Sequence, residues 1–256
     1  MPDKVSIAGI DLEVEERGQG RPLLFLHSRE GLHAEKPWLD ALAAHYRVIA
    51  PNHPGWGGSA LPRWVTGVED LAYLYLDLAT HYDLQNAVIA GNSFGGWVAA
   101  EVLVRDSSRF SQAVLADPLG CKFGARTTRE IADMHAMDQA TYRVQAWANP
   151  ANSAEDLTAK PESELAQIAQ GKEAFALFGW KPYMHNPRLK NWLHRIPLPT
   201  LVVWGEQDGI TGRAYAENWV QALPDARLAT IPNAGHFPQW EQPEAFAKLV
   251  AEFAKP

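Results

Sequence analysis

The chain has 256 residues, and its 23 basic and 30 acidic side chains give a net charge of −7. At 46% hydrophobic and 21% charged residues, it has the composition of a folded domain, which excludes disorder, coiled coil and collagen. The acidic balance argues against a polyanion-binding face, so no nucleic-acid partner is expected.

The one cysteine, Cys121, cannot form an internal disulfide, so nothing calls for an oxidising compartment. The N-terminal residues carry no apolar signal-peptide core. The longest uncharged window, 84–100, holds Asn92, Ser93 and three glycines and is too polar for a membrane span. The expectation is a soluble, cytoplasmic protein with no membrane partner, acting on a small molecule as a monomer or homodimer.

Taken in chain order, residues 5–10 and 12–17 alternate around Gly9 and predict an antiparallel hairpin, closed off by Gly18-Gln19-Gly20. Short apolar runs at 23–26, 47–50, 87–90, 113–116 and 200–204 predict strands covered on both faces, as in a parallel sheet. A further strand is expected at 227–231. Helices are expected at 68–82, where Leu71, Leu74, Tyr75 and Leu78 share a face, and at 96–105, 213–222 and 243–254. Strands alternating with helices mean an α/β fold.

Residues 120–196 break this alternation. Helical patterning appears there without a convincing strand, and roughly 75 residues are too many for a plain connection. Thr127 and Glu130 have the spacing of a capping box for a helix reaching Met137. Asn186-Pro187 has the form of an N-cap and first helical residue for a helix reaching His194. The expected organisation is a sheet domain, 1–119 with 197–256, carrying a helical insertion at 120–196.

The sharpest local motif is Gly91-Asn92-Ser93-Phe94-Gly95-Gly96, lying between a strand and a helix. Glycines two before and two after the serine allow a tight turn that presents its hydroxyl above the sheet. The helix that starts there turns its amides and positive end to the same point. A serine hydroxyl is a poor nucleophile unless a base lies within hydrogen-bond reach, oriented by an acid. In this architecture the acid follows a later strand and the histidine precedes the last helix. Asp208 in Gly205-Glu206-Gln207-Asp208-Gly209 and His236 in Asn233-Ala234-Gly235-His236-Phe237 meet that order. Glu206 and Asp117 are rival acids, the latter at the end of the 113–116 strand. Nine histidines form no His-x-x-x-His and no Cys-x-x-Cys pattern exists, so no metal or other cofactor is expected.

With these residues in place, the chain from 23 to 254 resembles the α/β-hydrolases that use a serine nucleophile, including esterases, lactonases and carbon–carbon hydrolases of meta-cleavage products. Residues 51–59, Pro-Asn-His-Pro-Gly-Trp-Gly-Gly-Ser, are similar to the family's D-x-P-G-x-G-x-S loop. The resemblance implies a mostly parallel eight-stranded sheet flanked by helices, with 120–196 as a helical lid after the sixth strand. It also implies an oxyanion hole of two backbone amides. One is the amide of Phe94. The other lies in His27-Ser28-Arg29, where a serine stands in place of the family's usual glycine, so Arg29 is nominated with Ser28 as fallback. Losing one such donor costs about 2.7–4 kcal/mol of transition-state stabilisation.

Serine at the elbow excludes relatives that use aspartate there, such as haloalkane dehalogenases and epoxide hydrolases. The resemblance leaves cleavage of a carboxylic ester or lactone as the expected activity, with carbon–carbon hydrolysis, and non-enzymatic small-molecule reception, as alternatives. His27, Trp180, Tyr183 and Phe237 are candidate substrate contacts, and they suit a flat apolar or aromatic group.

Overall fold

A computed structural model describes residues 3–153 and 157–255, with the backbone alone at 33–37. The chain opens with the hairpin β1 (Asp3–Ile7) and β2 (Ile10–Arg17), joined through Ala8 and Gly9. Both turn residues have positive φ, 50° and 77°, the twist that matches a two-residue hairpin. Then follow β3 (Pro22–Leu26), α1 (Leu32–Ala43), β4 (Arg47–Pro51), α2 (Val68–His81), β5 (Ala87–Asn92), α3 (Phe94–Arg105) and β6 (Phe110–Ala116). After a long insertion come β7 (Thr200–Gly205), α6 (Arg213–Ala222), β8 (Ala226–Ile231) and α8 (Pro243–Phe253), the last preceded by the single turn α7 (Pro238–Glu241).

The eight strands form one sheet in the order β1-β2-β4-β3-β5-β6-β7-β8. The β1–β2 and β2–β4 pairs are antiparallel, and every later neighbour is parallel. Strand residues are apolar on both faces because both faces are covered. Leu23, Phe25, Val88, Ala90, Val114 and Leu201 pack beneath α1 and α8, where the Trp38 ring lies between Phe25 and Phe246. Leu24, Leu26, Ile89, Leu115 and Val202 face α2, α3 and α6 through Leu71, Tyr75, Val98 and Trp219. Each such fully buried side chain stabilises the fold by about 1.5–3 kcal/mol.

From β3 the chain moves to β4 on one side and then crosses to β5 on the other. The loops after β3 and β5 therefore diverge at a switch point, where open α/β sheets form a crevice.

The insertion contains α4 (Gln139–Ala146) and α5 (Glu162–Gly179), with short 3-10 turns at Pro150–Ser153, Leu157–Ala159, Leu189–Asn191 and Leu193–Arg195. Helix α5 buries Gly171, Ala174, Phe175 and Phe178, a helical stripe, against the rest of the protein. Two helices expected from the sequence do not form. Residues 127–137 make turns, and Ile131 bridges to Thr211. The Glu130 carboxylate accepts from the Phe123 amide (3.0 Å) instead of capping its own segment. The segment after Asn186-Pro187 makes only 3-10 turns, and the Asn186 amide group donates to Glu101 Oε1 at 2.8 Å. Glu130 is thus taken by a partner outside its own segment, whereas Asn186 Oδ1 does accept from the Arg188 amide (3.0 Å) but opens only a 3-10 turn. Helix α1 is not among the helices expected from the sequence.

Candidate active site

Ser93 stands between β5 and α3 with φ 53° and ψ −113°. The turn is possible only because its flanks lack side chains. A Cβ on Gly91 would lie 2.3 Å from the Gly95 carbonyl oxygen, and one on Gly95 would lie 1.9 Å from that of Leu26. The strained backbone lifts the serine side chain off the sheet. Its hydroxyl meets His236 Nε2 at 2.8 Å, and His236 Nδ1 meets Asp208 Oδ2 at 2.8 Å. Three side chains far apart in the chain thus form one hydrogen-bonded line with Asp208 as its acid. Glu206 is exposed, and Asp117 turns to another partner.

Asp208 is held by more than the imidazole. Its Oδ1 accepts from the amides of Ile210 (2.7 Å) and Thr211 (3.2 Å), and its Oδ2 accepts from the Thr211 hydroxyl (2.6 Å). The His236 amide donates to the Ala146 carbonyl of α4 at 2.8 Å. Glu241 accepts from the amides of Gly235 (2.7 Å), Ala148 (3.1 Å) and Asn149 (3.0 Å), tying the histidine loop to the insertion.

Asp117, at the end of β6, is wholly buried and accepts from the Gly205 amide at 3.0 Å. Burial pushes its carboxyl well up, the Asp208 charge adds to this, and the Gly205 amide opposes it. Burial thus favours the protonated form of Asp117 behind a triad-like line. Among the described residues, Asp117, Asp208 and His236 bring donor atoms within 4.8 Å of one another, a spacing a metal could use. The His236–Asp208 bond already occupies Nδ1, the nitrogen that faces the cluster.

The loop after β3 is held just as firmly. His27 Nε2 accepts from the His53 amide (2.8 Å), and its Nδ1 donates to the Ser28 carbonyl (2.6 Å), so both ring nitrogens have partners within the protein. His53 Nε2 donates to the His27 carbonyl (3.0 Å), which leaves Nδ1 to accept from Tyr75 OH. Burial lowers the His53 pKa to about 3, with the His27 hydrogen bond opposing, so His53 stays neutral. The Ser28 hydroxyl accepts from the Glu30 amide at 3.2 Å, and the Arg29 carbonyl accepts from Trp56 Nε1 at 3.0 Å. Phe94 is the first residue of α3, where an amide has no acceptor within the helix.

Ser93 and His236 are fully buried. Aromatic rings close over them: Phe178 stacks on Phe94 (6.0 Å) and on Trp56 (6.3 Å), and Phe175 meets Phe94 edge-on at 5.6 Å. Phe237 is buried beside His236 and against Trp147. Trp180 and Tyr183 lie elsewhere, lining a cavity of ≈ 470 Å³ with Cys121 and Glu130. The Tyr183 hydroxyl donates to the Ala132 carbonyl (2.8 Å) and accepts from the Met134 amide (2.7 Å). Burial pushes its pKa up to about 12. Sequence reasoning missed the supporting set of Thr211, Glu241 and Asn92. Glu241 and Asn92 act on partners remote in the chain, Asn92 by donating to the carbonyls of Ala116 (3.2 Å) and His236 (3.3 Å), whereas Thr211 bonds to Asp208 three residues before it.

A family model described as alpha/beta hydrolase family matches residues 23–249. The chain belongs to the alpha/beta hydrolase family. Sequence relatives of this hydrolase include the 2-hydroxy-6-oxo-6-(2'-aminophenyl)hexa-2,4-dienoic acid hydrolase of Metapseudomonas resinovorans, 26% identical over 97% of this chain and 89% of the relative. Another is the pimeloyl-[acyl-carrier protein] methyl ester esterase of Vibrio cholerae, 24% identical over 93% of this chain and 95% of that one. The hydrolase also shares its fold with a meta-cleavage product hydrolase (CumD) from Pseudomonas fluorescens IP01. That structure has a TM-score of 0.79 at 20% identity, covering 98% of this chain and 96% of that one. No helix of the described residues is long and apolar enough to cross a membrane.

Proposed function

We propose that this hydrolase cleaves a carboxylic ester or lactone of a small apolar or aromatic molecule through an acyl-enzyme. The single observation that carries the reading is the Ser93–His236–Asp208 line, with both of its contacts at 2.8 Å. His236 Nε2 takes the Ser93 proton while the serine oxygen attacks the carbonyl carbon. Asp208 fixes the imidazole tautomer and stabilises the imidazolium. The Phe94 amide and one from the His27-Ser28-Arg29 loop hold the oxyanion. His236 then protonates the leaving alcohol, and water deacylates Ser93 by the same route in reverse. On this reading 120–196 is a lid whose aromatics keep water from the serine until substrate enters. No metal or other cofactor takes part, and the enzyme works in the cytoplasm.

A second reading, hydrolysis of a carbon–carbon bond in a ring-cleavage product, draws support from the relative named as a hexadienoic acid hydrolase. A fluorophosphonate probe tests the serine: it is expected to label Ser93 in the wild type and to leave Ser93→Ala unlabelled. Hydrolysis of p-nitrophenyl acetate by a folded Ser93→Ala variant at the wild-type rate would overturn the assignment. Faster turnover of a dienone acid than of simple esters would favour the second reading.

A further inference from the structure

Beside the serine site lies a cavity of ≈ 270 Å³ whose lining includes Arg29, Glu30, Tyr142, Arg143, Trp147 and Lys172. Its charged lining comprises three cations and one anion, a local excess of positive charge in a chain of net charge −7. Of the two residues that line it from the β3 loop, Arg29 supplies the cation. The side chain is only 10% exposed, and its guanidinium lies 4.4 Å over the Tyr142 ring and 5.5 Å over Phe175. Phe175 in turn meets Phe94, the residue after Ser93.

Glu30 does not use up this cation. Its Oε1 faces Arg29 Nε at 3.0 Å and accepts from Tyr142 OH at 3.0 Å. Among the described residues no acceptor is bonded to either Nη of Arg29. A guanidinium presents two parallel N–H groups in a fixed fork that matches a carboxylate. Stacking on the two rings holds that fork in place before any ligand arrives, so little rotamer freedom remains to be lost on binding. Arg143 and Lys172 then add long-range attraction from the rim. Trp147 gives the same cavity an apolar wall.

We propose that this cavity is a carboxylate-binding subsite, held chiefly by Arg29, and that the substrate carries a carboxylate on its acyl part besides the bond to be cleaved. The inference rests on the serine-hydrolase reading for its place in the reaction and narrows the substrate from a wholly apolar molecule to one with a charged end, but the binding it claims does not depend on turnover. A dicarboxylic half-ester fits: the free carboxylate sits on the Arg29 fork, and the ester carbonyl extends past the aromatic rings to Ser93.

The test uses the full chain with Ser93→Ala, so that the probe survives. Monomethyl glutarate and the uncharged methyl butyrate are titrated at low salt by isothermal titration calorimetry, which reads binding without turnover. The glutarate ester is expected to bind at least about tenfold more tightly than the butyrate, the discrimination a charge-assisted bidentate contact supplies. Raising the salt is expected to narrow the gap as the rim charges are screened. Lys172→Met, at an exposed position, is expected to weaken the glutarate ester about two- to fivefold. Arg29→Lys, which keeps the charge but removes the fork, is expected to weaken it about tenfold or more. Equal affinity for the two esters, or unchanged glutarate binding in Arg29→Lys, would overturn the proposal. Fluorophosphonate labelling of the wild type reports on the serine separately, so a failed subsite and a failed nucleophile give different results.

Discussion

The floor and the roof of the candidate active site are built on different principles. The floor consists of the elbow after β5, the Asp208 loop after β7 and the His236 loop after β8. Backbone hydrogen bonds and glycines hold it, at spacings where a single added carbon would collide with a carbonyl. The roof consists of α4, whose C-terminal end is pinned by backbone hydrogen bonds from Gly209 and His236, and α5, held mainly by the ring packing of Phe175 and Phe178 on Phe94 and Trp56. Directional bonds tolerate little displacement, whereas dispersion contacts can re-form after a shift. On the proposed reading, the geometry for proton transfer sits in the floor, and the surfaces that adapt to a substrate sit in α5.

The largest expected effect comes from the floor. Asp208→Asn is expected to lower kcat/KM on an activated ester by about 10⁴-fold, because the amide favours the wrong imidazole tautomer. Steady-state kinetics on a variant with unchanged circular dichroism checks this. A loss below tenfold would show that the acid is not needed where the geometry puts it.

A roof substitution is expected to act differently. Phe178→Ala removes a ring stacked on both Phe94 and Trp56, and it is expected to cost about 3 kcal/mol of stability by urea denaturation, the low end for a buried phenylalanine. Its kinetic signature is a raised KM with a smaller change in kcat. If kcat falls as far as in Asp208→Asn, the contrast between floor and roof does not hold.

The smallest expected effect concerns Asp117. Its carboxyl is raised by burial in the folded protein, so the unfolded chain loses its proton at lower pH than the native state does. The unfolded state then binds fewer protons over that interval, and stability falls as pH rises through it. Asp117→Asn cannot ionise. It is expected to raise the urea midpoint more at pH 8 than at pH 5, with little change in the pH profile of kcat/KM. An equal shift at both pH values would mean that Asp117 is not the neutral partner of Asp208.

Much of the floor was legible in the sequence because its signals are local. The run from Ala87 to Gly96 combines an apolar strand, two spacing glycines and the opening of a helix. Asp208-Gly209 and Gly235-His236 each follow an apolar strand directly. The roof was not legible to the same degree. Glu130 and Asn186 carried convincing helix-start patterns, yet Glu130 bonds to Phe123, and Asn186, although it accepts from the Arg188 amide, is followed only by 3-10 turns. Glu241 holds the His236 loop to the amides of Ala148 and Asn149, partners that no spacing rule connects. Helix α5 has an aromatic stripe, but which surface it covers depends on a loop more than a hundred residues earlier.

The sequence by itself determined the sheet, the order of its strands along the chain and the three side chains set at the strand ends, because hydrophobic period and turn chemistry act over a few residues. Only the tertiary structure decided that His236 and Asp208 come within 2.8 Å of each other, that Asp117 is buried behind them, and that Arg29 is clasped between Tyr142 and Phe175. Those outcomes depend on how distant segments exclude water together, and desolvation and electrostatic pairing are properties of the packed whole.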